Sequence, residues 1–215
     1  MTTCVLFDLD GTFADTAPDL YAAFSHLLST MDRSPIPYED FRASVSHGSQ
    51  AMLKAGLGIT PEDPDFQTLQ RAFLDFYRAN IAVHTRLFEG MESLLETLEN
   101  SAIAWGIVTN KPSYLTDPLM QELGLQQRAG AIISGDTTDH AKPHPEPILH
   151  ACRLVNANPA ETIYVGDAER DIEAGRNAGT RTLIARFGYL SKEDRPDEWQ
   201  ADGSIEQPLD LLRWL

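Results

Sequence analysis

A chain of 215 residues is long enough to bury a sizeable core, as one domain with an insertion or as two small domains. Hydrophobic residues at 42% and charged residues at 23% are ordinary for a globular protein, but 17 Lys and Arg against 32 Asp and Glu leave a net charge of −15. That balance argues against nucleic-acid and acidic-membrane partners, which need basic patches, and it repels an anionic small molecule unless local cations reverse the field.

The first predicted strand follows Met1 almost at once, leaving no room for a signal peptide, and no apolar run approaches membrane length. A cytoplasmic location without a membrane partner is therefore expected. Cys4 and Cys152 fit no metal-ligand spacing and no disulfide framework, and are expected to be buried, inert thiols.

Val5-Leu6-Phe7 is a short continuous apolar run, as in a strand buried on both faces of a parallel sheet. It leads into Asp8, Asp10, Gly11 and Thr12. Carboxylates buried at a strand end are costly without a compensating cation, and a hard divalent ion such as Mg²⁺ suits them. Gly11 allows a tight turn there. The alternative is an Asx-type turn in which Asp10 caps its own loop.

From about residue 17 to 83 the apolar spacing becomes helical. Leu20, Ala23, Phe24, Leu27 and Leu28 mark a first helix, and Ser34-Pro35-Ile36-Pro37 punctuates its end. Further helices are predicted over Glu39–Val45, Gln50–Leu57 and Asp65–Val83, giving a cap of four or five helices inserted into the core. Residues 16–84 form this all-α cap; residues 1–15 and 85–215 form the core. His47 and Gly48, in the loop Ser46-His47-Gly48-Ser49, read either as substrate contacts or as a solvated loop.

The core resumes with a helix over Met91–Leu98 and a strand over Ile103–Val108, which delivers Thr109 and Asn110. Either could cap the next helix, but ligands gather at the carboxyl ends of strands in open α/β sheets, so both are candidates for phosphate contacts. A helix over Tyr114–Leu123 and a strand over Ala131–Ser134 follow. Lys142-Pro143 then precedes a helix running to about Val155; Lys142 is either a point charge for a phosphate or a solvated loop lysine, and His144 has no assigned role. A strand over Thr162–Val165 ends at Gly166-Asp167, with Asp171 in the first turn of the next helix. Helix capping explains Asp171 but not both acids. A strand over Thr182–Ala185 and a closing helix over Leu209–Leu215 complete the chain. The alternation predicts an α/β fold, a three-layer Rossmann-like parallel sheet interrupted by the helical cap.

Asp8-Leu9-Asp10-Gly11-Thr12, Thr109, Lys142-Pro143 and Gly166-Asp167 through Asp171 occur in the order of the four motifs of the haloacid dehalogenase superfamily, which the chain resembles over its whole core. Phe13 departs from that family's usual Leu or Val, an apolar exchange that concerns packing. The resemblance implies that Asp8 is a nucleophile forming an aspartyl-phosphate, and that Asp10 is the general acid and then the general base. It implies Mg²⁺ held by Asp8, the backbone carbonyl of Asp10 and Asp167, with Asp171 supporting the shell, and phosphate contacts from Thr109 and Lys142. It also places a specificity loop near His47. An acid at position 10 speaks against halide displacement, since dehalogenase members lack it.

The run from Asp8 through Leu20 resembles the phosphoglycolate phosphatase branch, and Val83–Met91, Trp105–Pro112 and Asp171–Arg176 resemble its N-acetylmuramic acid 6-phosphate phosphatases. A small phosphorylated metabolite is thus the expected partner, acted on by a monomer or homodimer. The rivals are a phosphosugar mutase of the β-phosphoglucomutase type and a non-catalytic phosphate-binding protein.

Overall fold

The computed structural model describes residues 1–215. Its core strands are β1 (Cys4–Phe7), β4 (Ala104–Val108), β5 (Ala131–Ile133), β6 (Thr162–Gly166), β7 (Arg181–Ala185) and β8 (Gly203–Ile205). They form one parallel sheet in the order β5-β4-β1-β6-β7-β8, with β1 hydrogen-bonded to β4 on one side and β6 on the other. Every residue of β1 is buried, as its continuous apolar run requires. Its alternating side chains serve two layers. Val5 and Phe7 pack with Leu94, Leu95 and Leu98 of α5 (Met91–Asn100) and Leu119 of α6 (Ser113–Glu122). Cys4 and Leu6 pack with Ile148 and Ala151 of α7 (Glu146–Leu154) and with Ala174 of α8 (Glu169–Ala178). The three-layer α/β architecture is the one expected.

Between β1 and α5 the cap contributes α1 (Ala17–Ser29), α2 (Tyr38–Val45), α3 (Gly48–Leu57) and α4 (Phe66–Ala79). Its Phe24, Phe41, Phe73 and Tyr77 belong to the same apolar cluster as one face of the sheet, so cap and core share a continuous interior. Both connections run through an antiparallel ribbon of two residues per strand, β2 (Ala14–Asp15) against β3 (Arg86–Leu87). Periodicity cannot reveal strands that short.

Several ends differ from the expected ones. The last cap helix stops at Ala79 rather than Val83, because Asn80 leaves helical geometry and its side-chain amide donates to the Phe76 carbonyl. The closing segment is a 3₁₀ helix over Pro208–Arg213, not an α-helix over 209–215. β8 was not foreseen; it contains Gly203, where a Cβ would lie 2.2 Å from the Trp214 ring. Cys4 and Cys152 are free and buried, and burial pushes the Cys4 thiol up to about 12. Phe13 stacks on Trp105 at a centroid distance of 5.6 Å, a packing role. No helix is long and apolar enough to cross a membrane.

The segment after α4 is pinned by buried Asp19, whose carboxylate accepts from the backbone N–H of His84 and Thr85 and from the Thr85 hydroxyl, at 2.8 to 3.0 Å. Asp19→Ala would strand these donors at a cost of about 3 kcal/mol. The expected result is a Tm lower by roughly 6 to 12 °C in a thermal melt; a change below about 2 °C would show that Asp19 does not hold the connection.

Candidate active site

Parallel strands align their carboxyl ends, and the crossing of the chain from β5 to β6 on the far side of β1 makes this edge a topological switch point. Phe7 lies opposite Ile107 of β4 and Val165 of β6. Asp8, Thr109 and Asp167 therefore emerge side by side. The cap closes over them, leaving a cavity of ≈ 490 Å³ lined by Asp8, Asp10, Thr109, Asn110, Lys111 and Arg170 from the core and by Ser46, His47, the start of α3, which begins at Gly48 rather than at Gln50, and α4 from the cap. The structure thus brings His47 and Gly48 to the cavity wall.

Asp8 is buried and held through one oxygen. Oδ1 accepts from the Leu9 N–H at 2.8 Å and pairs with the Lys142 ammonium at 2.9 Å, while no protein donor engages Oδ2. Asp10 is also gripped through Oδ1, which accepts from the Thr16 hydroxyl and from Lys111 Nζ at 2.8 Å. Two residues of one turn thus present a free carboxylate oxygen each. Gly11, directly after Asp10, has φ +83°, and a Cβ there would lie 2.3 Å from Asp167 Oδ2, so the turn needs glycine for conformation and for room.

Lys142 lies beneath Asp8 rather than in the cavity wall. Its Nζ donates to Asp171 Oδ1 at 2.7 Å and to Tyr164 Oη at 2.8 Å and forms an ion pair with Asp8 Oδ1 at 2.9 Å. The Asn110 side chain holds this lysine in place: its Oδ1 accepts from the Lys142 N–H at 3.0 Å and its Nδ2 donates to the Lys142 carbonyl at 2.9 Å. The side chain is therefore engaged with the lysine, and its backbone is what remains for a phosphate. Thr109 Oγ1 accepts from the Lys111 N–H at 3.1 Å, and its own proton goes to no protein acceptor.

Asp8, Asp167 and Asp171 offer oxygens within 4.8 Å of one another, all buried. Burial first, then the charges of Asp8 and Asp171, push the Asp167 carboxyl from 3.8 up to about 7. Burial and the charge of Asp8 likewise raise Asp171, with Lys142 opposing. Lys142 and Arg170 together leave this cluster one positive charge short of neutrality before Asp10 is counted. An all-oxygen, electron-rich, buried donor set fits a hard divalent cation such as Mg²⁺. Both oxygens of Asp171 and of Asp167 are engaged, but Asp171 is charge-paired with Lys142, and takes the Ala168 N–H at 3.0 Å, which suits a supporting place, whereas the donors to Asp167 are all neutral. Asp167 accepts from Thr12 at 3.2 Å, from Ser46 at 2.8 Å and from the Tyr189 N–H at 2.9 Å.

Three residues had no role in the sequence analysis. Lys111 is buried against Asp10 and lies 4.8 Å from the centre of the Tyr77 ring of the cap; burial lowers its pKa, but the charges and hydrogen bonds of Asp10 and Tyr77 together outweigh burial and raise it. Arg170 faces the same cavity and donates to the Ser46 carbonyl, joining α8 to the cap loop. Tyr164 accepts from Lys142 and donates to the Val108 carbonyl. Lys111 and Arg170 stand in runs already singled out, Thr109–Pro112 and Asp167–Asp171, and a cation beside strand-end acids was the available signal. They supply the local positive field that an acidic chain needs to admit an anion.

Known proteins resemble this chain. A family model described as haloacid dehalogenase-like hydrolase matches residues 5–185. The N-acetylmuramic acid 6-phosphate phosphatase of Pseudomonas putida is 43% identical over 209 residues, covering 97% of this chain and 94% of that one. A phosphoglycolate phosphatase of Xanthomonas campestris is 42% identical over 207 residues, covering 96% and 93%. Among solved structures, a haloacid dehalogenase-like family hydrolase of Streptococcus pneumoniae superposes with a TM-score of 0.83 at 21% identity, covering 99% and 98%, a likeness of fold. With its four motifs converging on one strand edge and the match spanning both cap and core, the chain belongs to the haloacid dehalogenase-like hydrolases.

Proposed function

We propose that the protein is a Mg²⁺-dependent phosphomonoester hydrolase of small phosphorylated metabolites, working through an aspartyl-phosphate on Asp8. The observation that carries this reading is the pair of free carboxylate oxygens, on Asp8 and Asp10, facing one cavity above a cluster of buried acids.

The substrate phosphate is met by the Thr109 hydroxyl and by the backbone after β4 at the opening of α6. Asp8 Oδ2 attacks phosphorus, the bond from phosphorus to the ester oxygen breaks, and Asp10, protonated on its free Oδ2 in the substrate complex, gives that proton to the departing alkoxide. Asp10 then takes a proton from water, whose oxygen attacks phosphorus and returns Asp8 as carboxylate with release of inorganic phosphate. Lys142 fixes the attacking carboxylate and offsets its charge, Lys111 and Thr16 aim Asp10, and the cap keeps bulk water out. Asp8, Asp167 and the main-chain carbonyl of Asp10 would hold Mg²⁺, which when bound supplies positive charge against the phosphoryl oxygens.

The substrates named for the relatives, N-acetylmuramic acid 6-phosphate and phosphoglycolate, are the first candidates. A cavity of ≈ 490 Å³ has room for the larger of them. The test is phosphate release with Mg²⁺ from 2-phosphoglycolate, N-acetylmuramic acid 6-phosphate and hexose phosphates, compared by kcat/KM. Release from at least one of them without any sugar bisphosphate is the expected result. A requirement for sugar bisphosphate would establish a mutase instead, and binding without turnover would establish a phosphate-binding protein.

A further inference from the structure

α4 carries Phe66, Phe73 and Tyr77 into the core, while Gln67, Gln70, Arg71, Leu74 and Arg78 recur at helical spacing on another face. That second face, with Asp75 and with Tyr114 of α6, lines a groove of ≈ 510 Å³. Gln70, Leu74 and Tyr114 line both this groove and the cavity over Asp8, so the two spaces meet across a threshold of three residues. The threshold is tied to the first turn of α3, since Gln70 Nε2 donates to Ser49 Oγ at 2.8 Å.

Charge distinguishes the groove from its surroundings. Arg71 and Arg78 are exposed, and neither takes part in any of the ion pairs of the structure. Counting Asp75, the groove still carries one net positive charge in a chain of net charge −15. A guanidinium offers a planar fork of donors that matches a carboxylate.

We propose that this groove is a second subsite, binding a carboxylate at the end of the substrate remote from its phosphate through Arg71 and Arg78, with Leu74 and Tyr114 covering the middle of the molecule. The inference rests on the phosphomonoesterase reading of the main cavity and adds the chemical class of its substrate: a phosphomonoester with a second, distant anionic group. A short ester filling only the space over Asp8 gains nothing from the arginines.

The test uses two sugar phosphates that differ in this group alone, N-acetylmuramic acid 6-phosphate and N-acetylglucosamine 6-phosphate, with the full-length protein and Mg²⁺. The expected result is a preference for the acid-bearing ester. Arg71→Gln combined with Arg78→Gln should lower kcat/KM for that ester about tenfold, through KM, leave the other ester unchanged and leave Tm unchanged. Equal kcat/KM on the two esters in the parent protein would overturn the inference alone, as would a double variant that keeps the preference or loses activity equally on both. Release from neither ester, with phosphate still released from 2-phosphoglycolate, would overturn the inference alone; release from none of the three would overturn the phosphomonoesterase reading and this inference with it.

Discussion

Asp8→Asn is expected to reduce phosphate release by at least roughly 10,000-fold while leaving the protein folded. The amide is nearly isosteric with the carboxylate, and its oxygen can take the place of Oδ1, accepting from the Leu9 N–H and from Lys142. Its nitrogen then faces the cavity where the attacking oxygen stood, and an amide nitrogen does not displace an alkoxide from phosphorus. Folding survives because Lys142 keeps Asp171 at 2.7 Å and Tyr164 at 2.8 Å, so the ammonium is not left without partners. Removing one charge also relieves the repulsion among Asp8, Asp167 and Asp171. Phosphate release, a thermal melt and a search for protein-bound phosphate after mixing with substrate check the three parts. Activity within about tenfold of the parent would end the nucleophile assignment.

The second large effect concerns the cation. In chelator, the protein should lose stability as pH rises from about 4 to 7, and millimolar Mg²⁺ should restore it at pH 7.5 to 8. Asp167 titrates at about 7 in the folded chain and at 3.8 ordinarily, so between these values the folded state holds a proton that the unfolded state has released. Stability therefore falls with rising pH across this window, and the full penalty is present above about 7. A cation on the ionised cluster replaces that proton and binds the folded state only, which adds stability by mass action. The expected readings are a Tm drop of more than about 5 °C from pH 5 to 8 in chelator, recovery of several degrees with Mg²⁺, and loss of activity on chelation. Asp167→Asn should flatten the pH dependence and abolish the Mg²⁺ effect. A Tm indifferent to Mg²⁺ at pH 8 would refute a cation at these acids.

Much of the site can be read without coordinates because its parts are local. Asp8 and Asp10 follow an apolar strand, Thr109 ends another, Asp167 a third, and the positions of strand ends follow from apolar runs. The cap helices α1 to α4 are legible from their spacing for the same reason. What escapes this reading is pairing across sequence distance. That Asn110 grips the backbone of Lys142, 32 residues away, depends on β4 and the Lys142 loop meeting at one edge. Lys111 becomes the partner of Asp10, 101 residues before it, only because β1 and β4 are neighbours. Ser46 reaches Asp167 only because the cap folds down onto the core.

By itself, then, the sequence determined the α/β class, the strand-end acids, the turn at Gly11 and the helical insertion, all of which rest on runs and periods within a few residues. Tertiary structure decided which charges meet: Lys142 on Asp8 and Asp171, Lys111 on Asp10, Arg170 on the cap loop, and the groove of Arg71 and Arg78 beyond the threshold. The physical reason is that apolar patterning acts locally through burial, whereas the field inside a buried site depends on every charge the fold brings within a few ångströms, wherever it stands in the chain.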